Sequence, residues 1–173
     1  MKKMIFAVLL TTDCLFGQNR QIEFEHGNMA SVFERAKKEN KLIFVDAYTT
    51  WCGPCKWLAK NVFTNDSVAD YFNSNFVNYK LDMEKGEGLE FAKKYEVSCY
   101  PNLIFLNANG ELVHRGAGGM PVAMLIDFAK SSKDPKLSFS AIKQNMMKDG
   151  LNENNIHAYS RLLRGSCLDP SPE

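Results

Sequence analysis

Long runs of one charge are missing from this sequence. Its 21 lysines and arginines never form a block longer than Lys37-Lys38 or Lys93-Lys94, and 20 acidic residues leave a formal charge of +1. A surface that grips nucleic acid, or a field that steers an acidic substrate, needs one sign concentrated, so neither is expected. The lysine pairs read as solvated helix faces. Internal repeats are missing too, and the three histidines, His26, His114 and His157, stand apart without a partner constellation. No second close pair of cysteines and no His-x-x-x-His exists, so a zinc site would lack two of its four ligands. No metal and no bound cofactor are expected. What is present is a 45% hydrophobic, 24% charged chain of 173 residues, enough for one globular domain with length to spare.

The first residues form a separate unit. Met1-Lys2-Lys3 is a basic start, Met4 to Leu10 a short apolar run, and Leu15-Phe16-Gly17 ends on a small residue. This is the layout of a secretory signal peptide, too short for a membrane span, with cleavage expected near Gly17-Gln18. Cys14 raises a lipoprotein option, but Asp13 precedes it where a small residue is wanted; a disordered or strand-forming N-terminus is the alternative. The layout predicts a bacterial exported protein, periplasmic or at the cell surface, with no stable membrane span after cleavage. Of the five cysteines (14, 52, 55, 99 and 167), four would remain, in a spacing that is no dense disulfide framework.

Along the chain, Ile22 to Glu25 alternates apolar and acidic like a half-buried strand. Asn28 caps a helix with Met29, Val32, Phe33 and Ala36 on one stripe. Leu42 to Val45, ending at Asp46, reads as a central strand covered on both faces. The Cys52-Cys55 segment leads into a helix through Leu58, Ala59 and Val62, and Asp66 or Ser67 caps a further turn or two. Phe76 to Met83 is a second central strand, and Leu89 to Tyr95 a short helix. Leu103–Leu106 and Leu112–His114 form a hairpin around Asn109-Gly110. Pro121 opens a helix carrying Val122, Leu125, Ile126 and Ala129. The order predicts an α/β fold, a central mixed sheet with helices on both faces. The expected divisions are a signal peptide over 1–17, the α/β domain over 18–132, a C-terminal helical pair over 133–166 and a disordered tail over 167–173.

The stretch Trp51-Cys52-Gly53-Pro54-Cys55-Lys56 carries the chemistry. A purely structural disulfide here would close too short a loop to restrict the unfolded chain much. A redox pair uses every residue. Cys52 stands at a helix N-terminus, where unpaired N–H groups and the helix dipole favour thiolate. Gly53 permits the turn, and Pro54 fits a first helical turn that needs no N–H from it. Cys52, at the exposed end, is expected to attack; Cys55, one turn in, resolves the mixed disulfide.

Trp-Cys-Gly-Pro-Cys-Lys is identical to the thioredoxin active-site motif, and Leu42 to Lys130 resembles the thioredoxin superfamily. The resemblance implies a thioredoxin fold and a protein-disulfide oxidoreductase. It makes Asp46, six residues before Cys52, the buried carboxylate that helps deprotonate the resolving cysteine. It makes Pro101, in Val97-Ser98-Cys99-Tyr100-Pro101, the cis-proline beside the cysteines, and Trp51, Gly53, Pro54, Tyr100 and Pro101 a substrate-binding rim, with core filling as the alternative for Trp51 and Tyr100. Asn61 to Asp66 followed by Val68 is similar to exported thioredoxin-like proteins and to the soluble C-terminal domain of the membrane thiol:disulfide interchange protein. Two departures from thioredoxin go with this branch: Lys60 replaces the proline that kinks the active-site helix, and Asn78 stands where a lysine faces the buried carboxylate, which puts the proton relay around Asp46 in doubt. Cys99 is expected to be a small buried thiol filling space, with a third redox thiol as the alternative, and Cys167 to be incidental. Gly-Pro between the cysteines resembles reductant-type motifs. The expectation is a reductase of protein disulfides, fed by a membrane thiol-transfer donor; the alternatives are an oxidase or isomerase, or a non-catalytic binding module.

Overall fold

Eleven elements make up a computed structural model that describes residues 20–150, 152, 155–160 and 167. They are β1 (Phe24–Glu25), α1 (Met29–Glu39), β2 (Leu42–Tyr48), α2 (Gly53–Asn61), α3 (Asp66–Asn75), β3 (Phe76–Asp82), α4 (Glu87–Lys94), β4 (Asn102–Leu106), β5 (Leu112–Ala117), α5 (Val122–Ser131) and α6 (Phe139–Asp149), followed by a helical stretch at 155–160. The expected signal peptide lies outside the described residues, as does most of the expected tail.

The strands join in the order β1-β3-β2-β4-β5. β1, β3 and β2 run parallel, while β4 and β5 run antiparallel to their neighbours, which gives the mixed sheet expected. Along β2 successive side chains point to opposite faces. Ile43, Val45 and Ala47 pack toward α1 and α4 with Ile104 and Leu106. Phe44 packs toward α2, α3 and α5 with Leu58, Phe72, Phe105 and Leu125. The period of two therefore puts Asp46 on the face covered by the cysteine helix. The five central residues of β2, Ile43 to Ala47, are all buried, as its unbroken apolar run requires.

Local signals set most boundaries. The Asn28 carboxamide accepts the Ser31 N–H at 3.0 Å, and Asn40 closes α1 in the left-handed region at φ 50°. α3 is capped by Asn65, whose side chain accepts from Ser67 and Val68, so the cap lies one residue ahead of Asp66 and the helix runs ten residues. α4 starts at Glu87, two residues before Leu89, because Gly88 lets the helix press onto the end of β3. A Cβ there would stand 1.8 Å from the Asp82 carbonyl oxygen. In the β4–β5 turn, Asn107 Oδ1 accepts the N–H groups of Asn109 and Glu111, and Gly110 takes φ +80°.

α6 packs on β5 through a buried group that no local pattern singles out. Phe139 is 4% exposed, and its N–H donates to His114 Nδ1 at 3.0 Å. His114 sits against the rings of Phe128 and Phe105, and burial pushes its pKa down to about 4. The imidazole is therefore neutral, and its Nδ1 lone pair is what holds the first turn of α6.

Candidate active site at the N-terminus of α2

β2 leaves the sheet at Tyr48, and four residues later the chain enters α2. Cys52 is the N-cap of that helix, with extended backbone (φ −68°, ψ 110°), and its Sγ accepts the Cys55 N–H at 3.1 Å. A sulfur that takes a helix N–H is where negative charge on sulfur is favoured. Pro54 occupies the first turn, where no N–H is required. Cys52 and Cys55 are joined as a disulfide, their Cα atoms 5.3 Å apart. Both are 3% exposed, so burial does not set Cys52 apart as the more exposed thiol; what distinguishes it is the N-cap position.

Asp46 is fully buried beneath this helix and paired with Lys80. The expectation that Asn78 replaces the facing lysine is overturned. Parallel pairing sets Asp46 opposite Lys80 and Phe44 opposite Asn78, so the lysine is present one alternation further along β3. Asn78 instead donates to Asn73 and to the Glu23 carbonyl. Burial raises the Asp46 pKa above the usual carboxylate range, and the Lys80 charge only partly opposes that. The other carboxylate oxygen, Oδ1, has no hydrogen-bond partner among the described residues. The Lys80 ammonium lies 4.2 Å from the Tyr48 ring centroid and near Phe24 and Phe63. A groove of about 370 Å³, lined by Phe24, Ala59, Phe63, Thr64 and Lys80 among others, opens onto it.

The rim is aromatic. Trp51 is 65% exposed, which excludes the core-filling reading for it, and its indole N–H donates to Glu84 Oε1 at 2.8 Å. The Tyr100 ring meets Trp51 edge-on, with centroids 5.9 Å apart. The Tyr100-Pro101 peptide is cis, as the resemblance implied. The Pro101 carbonyl accepts the Gly118 N–H at 2.9 Å, which ties this loop to the end of β5. Trp57, on the exposed side of α2, is 45% exposed and lies over Gly119. The structure thus brings Trp51, Cys52, Gly53, Pro54, Cys55, Tyr100 and Pro101 to one end of the sheet, with Asp46 behind them.

Cys99 corrects a second expectation. It is half-buried rather than buried, and it is bonded to Cys167, with Cα atoms 6.2 Å apart and a sequence separation of 68. The Ser98 hydroxyl donates to the Cys167 carbonyl at 2.8 Å. Cys167 is therefore not incidental, and the sequence held only the evenness of four cysteines as a hint. Lys80 was visible as a lysine on the second central strand, but not its register; Glu84 carried no signal at all. Among the described residues no three His, Cys, Asp or Glu side chains cluster as a metal site, and no helix is long and apolar enough to cross a membrane.

Comparison with known proteins agrees with this geometry. A family described as Thioredoxin-like domain matches residues 29–132. Thioredoxin-1 of Saccharomyces cerevisiae is 39% identical over 95 residues, which are 55% of this chain and 85% of that protein. The solution structure of a candidate disulphide-isomerase from Bacteroides thetaiotaomicron is 49% identical with a TM-score of 0.62, covering 68% of this chain and 97% of that one. The DsbH oxidoreductase structure shares the fold at 20% identity, with a TM-score of 0.55 over 74% of this chain and 94% of its own.

Proposed function

The chain belongs to the thioredoxin-like family, has its fold and is a thiol:disulfide oxidoreductase built on the Cys52–Cys55 pair, and from that premise we propose that it reduces protein disulfides in an exported bacterial compartment. The observation that carries the reaction is the Cys52 Sγ at the helix N-cap, accepting an N–H that stabilises thiolate. In this reading the Cys52 thiolate attacks a substrate disulfide and forms a mixed disulfide. Cys55 then attacks Cys52 Sγ, closing the pair and releasing the reduced substrate. Asp46, with a pKa raised by burial, takes the Cys55 proton, and Lys80, reached by solvent through its groove, steadies the carboxylate when it is charged. Trp51, Gly53, Pro54 and Tyr100 form the surface on which substrate lies, beside Pro101.

The Gly-Pro dipeptide supports the reducing direction. Export is supported by the signal-like start and by the Cys99–Cys167 disulfide, a kind of bond that cytosolic thiol pools keep open. A reductase in an oxidising compartment needs electrons, so a membrane thiol-transfer protein is the implied donor. Turbidity of insulin with dithiothreitol tests the activity, and equilibration in dithiothreitol or glutathione buffers gives the potential of the couple. A potential close to that of strong oxidants would reverse the proposed direction. The 49% identity to a candidate disulphide-isomerase favours a second reading, isomerisation. Reactivation of a scrambled disulfide-bonded enzyme in a glutathione buffer, without net reduction, separates the two.

A further inference from the structure

The second disulfide lies on the same rim as the first. Trp51 and Tyr100 touch edge-on with ring centroids 5.9 Å apart. Cys52 follows Trp51 directly, and Cys99 directly precedes Tyr100, so each disulfide stands one residue from the contact between the two loops. Ala47 at the end of β2 pairs with Asn102 at the start of β4, so the loop bearing Cys52 and the loop bearing Cys99 lie at the same end of the sheet. The exposures differ in a chemically useful sense. Cys99 is half-buried on the rim, while Cys167 is exposed to water, where a departing thiolate is solvated.

We propose that Cys99 and Cys167 form a second redox site, an in-chain disulfide that the Cys52/Cys55 dithiol of the same molecule reduces. This rests on the reductase reading of Cys52 and Cys55. The Cys52 thiolate attacks Cys99 Sγ; the Cys99–Cys167 bond breaks and Cys167 leaves as thiolate. The Cys55 thiolate then attacks Cys52 Sγ, the Cys52–Cys55 bond forms, and Cys99 leaves. Two electrons pass from one pair to the other, and the two protons given up by Cys52 and Cys55 end on Cys99 and Cys167. The substrate class is thus a protein disulfide already tethered to the enzyme. Opening it frees Cys167 and its carbonyl from Cys99 and Ser98, and so changes what stands beside the Tyr100-Pro101 edge of the groove.

The test starts from full-length protein with both disulfides closed and a limiting amount of dithiothreitol. Samples are quenched in acid, alkylated and mass-mapped, so that the opening of Cys99–Cys167 is timed separately. Wild type should open this bond about tenfold or more faster than Cys52→Ser, and the acceleration should persist on dilution because the attack is intramolecular. The double variant Cys52→Ser/Cys55→Ser should match the slow rate, which guards against a defect peculiar to one substitution. Equal rates in wild type and both variants would overturn the proposal, as would an acceleration that falls in proportion to protein concentration. Insulin reduction on the same wild-type sample tells the two failures apart. If insulin is reduced while Cys99–Cys167 opens at the variant rate, the relay is wrong and the reductase stands; if insulin is not reduced either, the underlying reading is wrong.

Discussion

Two regions of this molecule are held together in opposite ways. At the N-terminus of α2 everything chemical is local: Cys52, Gly53, Pro54 and Cys55 are consecutive, and the disulfide spans a separation of three. At the C-terminal side everything is long-range: α6 is docked through the Phe139 N–H to His114, and Cys167 is joined to Cys99 across a separation of 68. A short ring barely limits an unfolded chain, whereas a long one limits it strongly. Opening the first bond in turnover therefore costs the fold little, whereas opening the second gives up a restraint on the unfolded chain. Activity and stability should come apart when each region is damaged in turn.

The largest effect falls on the local end. Cys52→Ser should lower insulin reduction by about a thousandfold or more while leaving the thermal midpoint of the reduced protein little changed. Cys55→Ser should accumulate a mixed disulfide through Cys52, visible by non-reducing mass analysis. If Cys52→Ser retained turnover, the active cysteine would have to be sought in the Cys99–Cys167 pair.

Next in size is the long-range bond. In the chain-entropy model, losing a ring with the Cys99–Cys167 separation of 68 costs about 4 kcal/mol, against about 2 kcal/mol for a ring as short as Cys52–Cys55. Cys167→Ser should thus lower the denaturant midpoint clearly and leave insulin turnover in place. A midpoint no lower than wild type would erase the contrast between the two regions.

His114 gives a pH-dependent version of the same weakness. Its pKa is about 4 in the fold against 6.5 in the open chain, so between those values the unfolded chain binds the proton more readily. Stability is then complete above pH 6.5 and declines as pH falls toward 4, by up to about 3 kcal/mol. Protonation also takes the lone pair that accepts the Phe139 N–H, so α6 should loosen first, which hydrogen exchange would detect. His114→Gln should flatten the profile.

The smallest effect returns to the local end. Asp46→Asn should slow protein-disulfide reduction severalfold near neutrality and less at alkaline pH, where Cys55 needs no base. The folded pKa is raised, so wild-type stability falls as pH rises from the ordinary carboxylate range through the folded value, and the Asn variant should lack that fall. Lys80, whose side chain is 29% exposed, can turn to solvent when its partner is gone. Equal slowing at both pH values would return Asp46 to a structural role.

The same contrast decides what could be read in the sequence. The apolar run before Asp46, the Cys52–Cys55 pair, the Asn109-Gly110 turn and the stripe on α5 are local patterns, and each marked its element. The period of two in β2 also fixed which face Asp46 takes. What escaped needed two segments at once. Lys80 was misplaced by two residues because the pairing of β2 with β3 has no local signature, and a shift of two keeps the same face. Cys99–Cys167 and Phe139–His114 join segments whose proximity only the folded sheet creates, and the Trp51–Glu84 bond is of the same kind.

Trp51 and Trp57 are the only tryptophans in the chain, and they stand on either side of Cys52 and Cys55, with the indole of one pinned to Glu84. All tryptophan emission therefore originates within a few residues of a sulfur pair that quenches excited indoles when bonded. Emission should therefore rise when Cys52–Cys55 takes up two electrons, which makes it a gauge of that couple. A single fluorescence trace can follow the Cys52–Cys55 couple through turnover while Cys99–Cys167 is followed by mass.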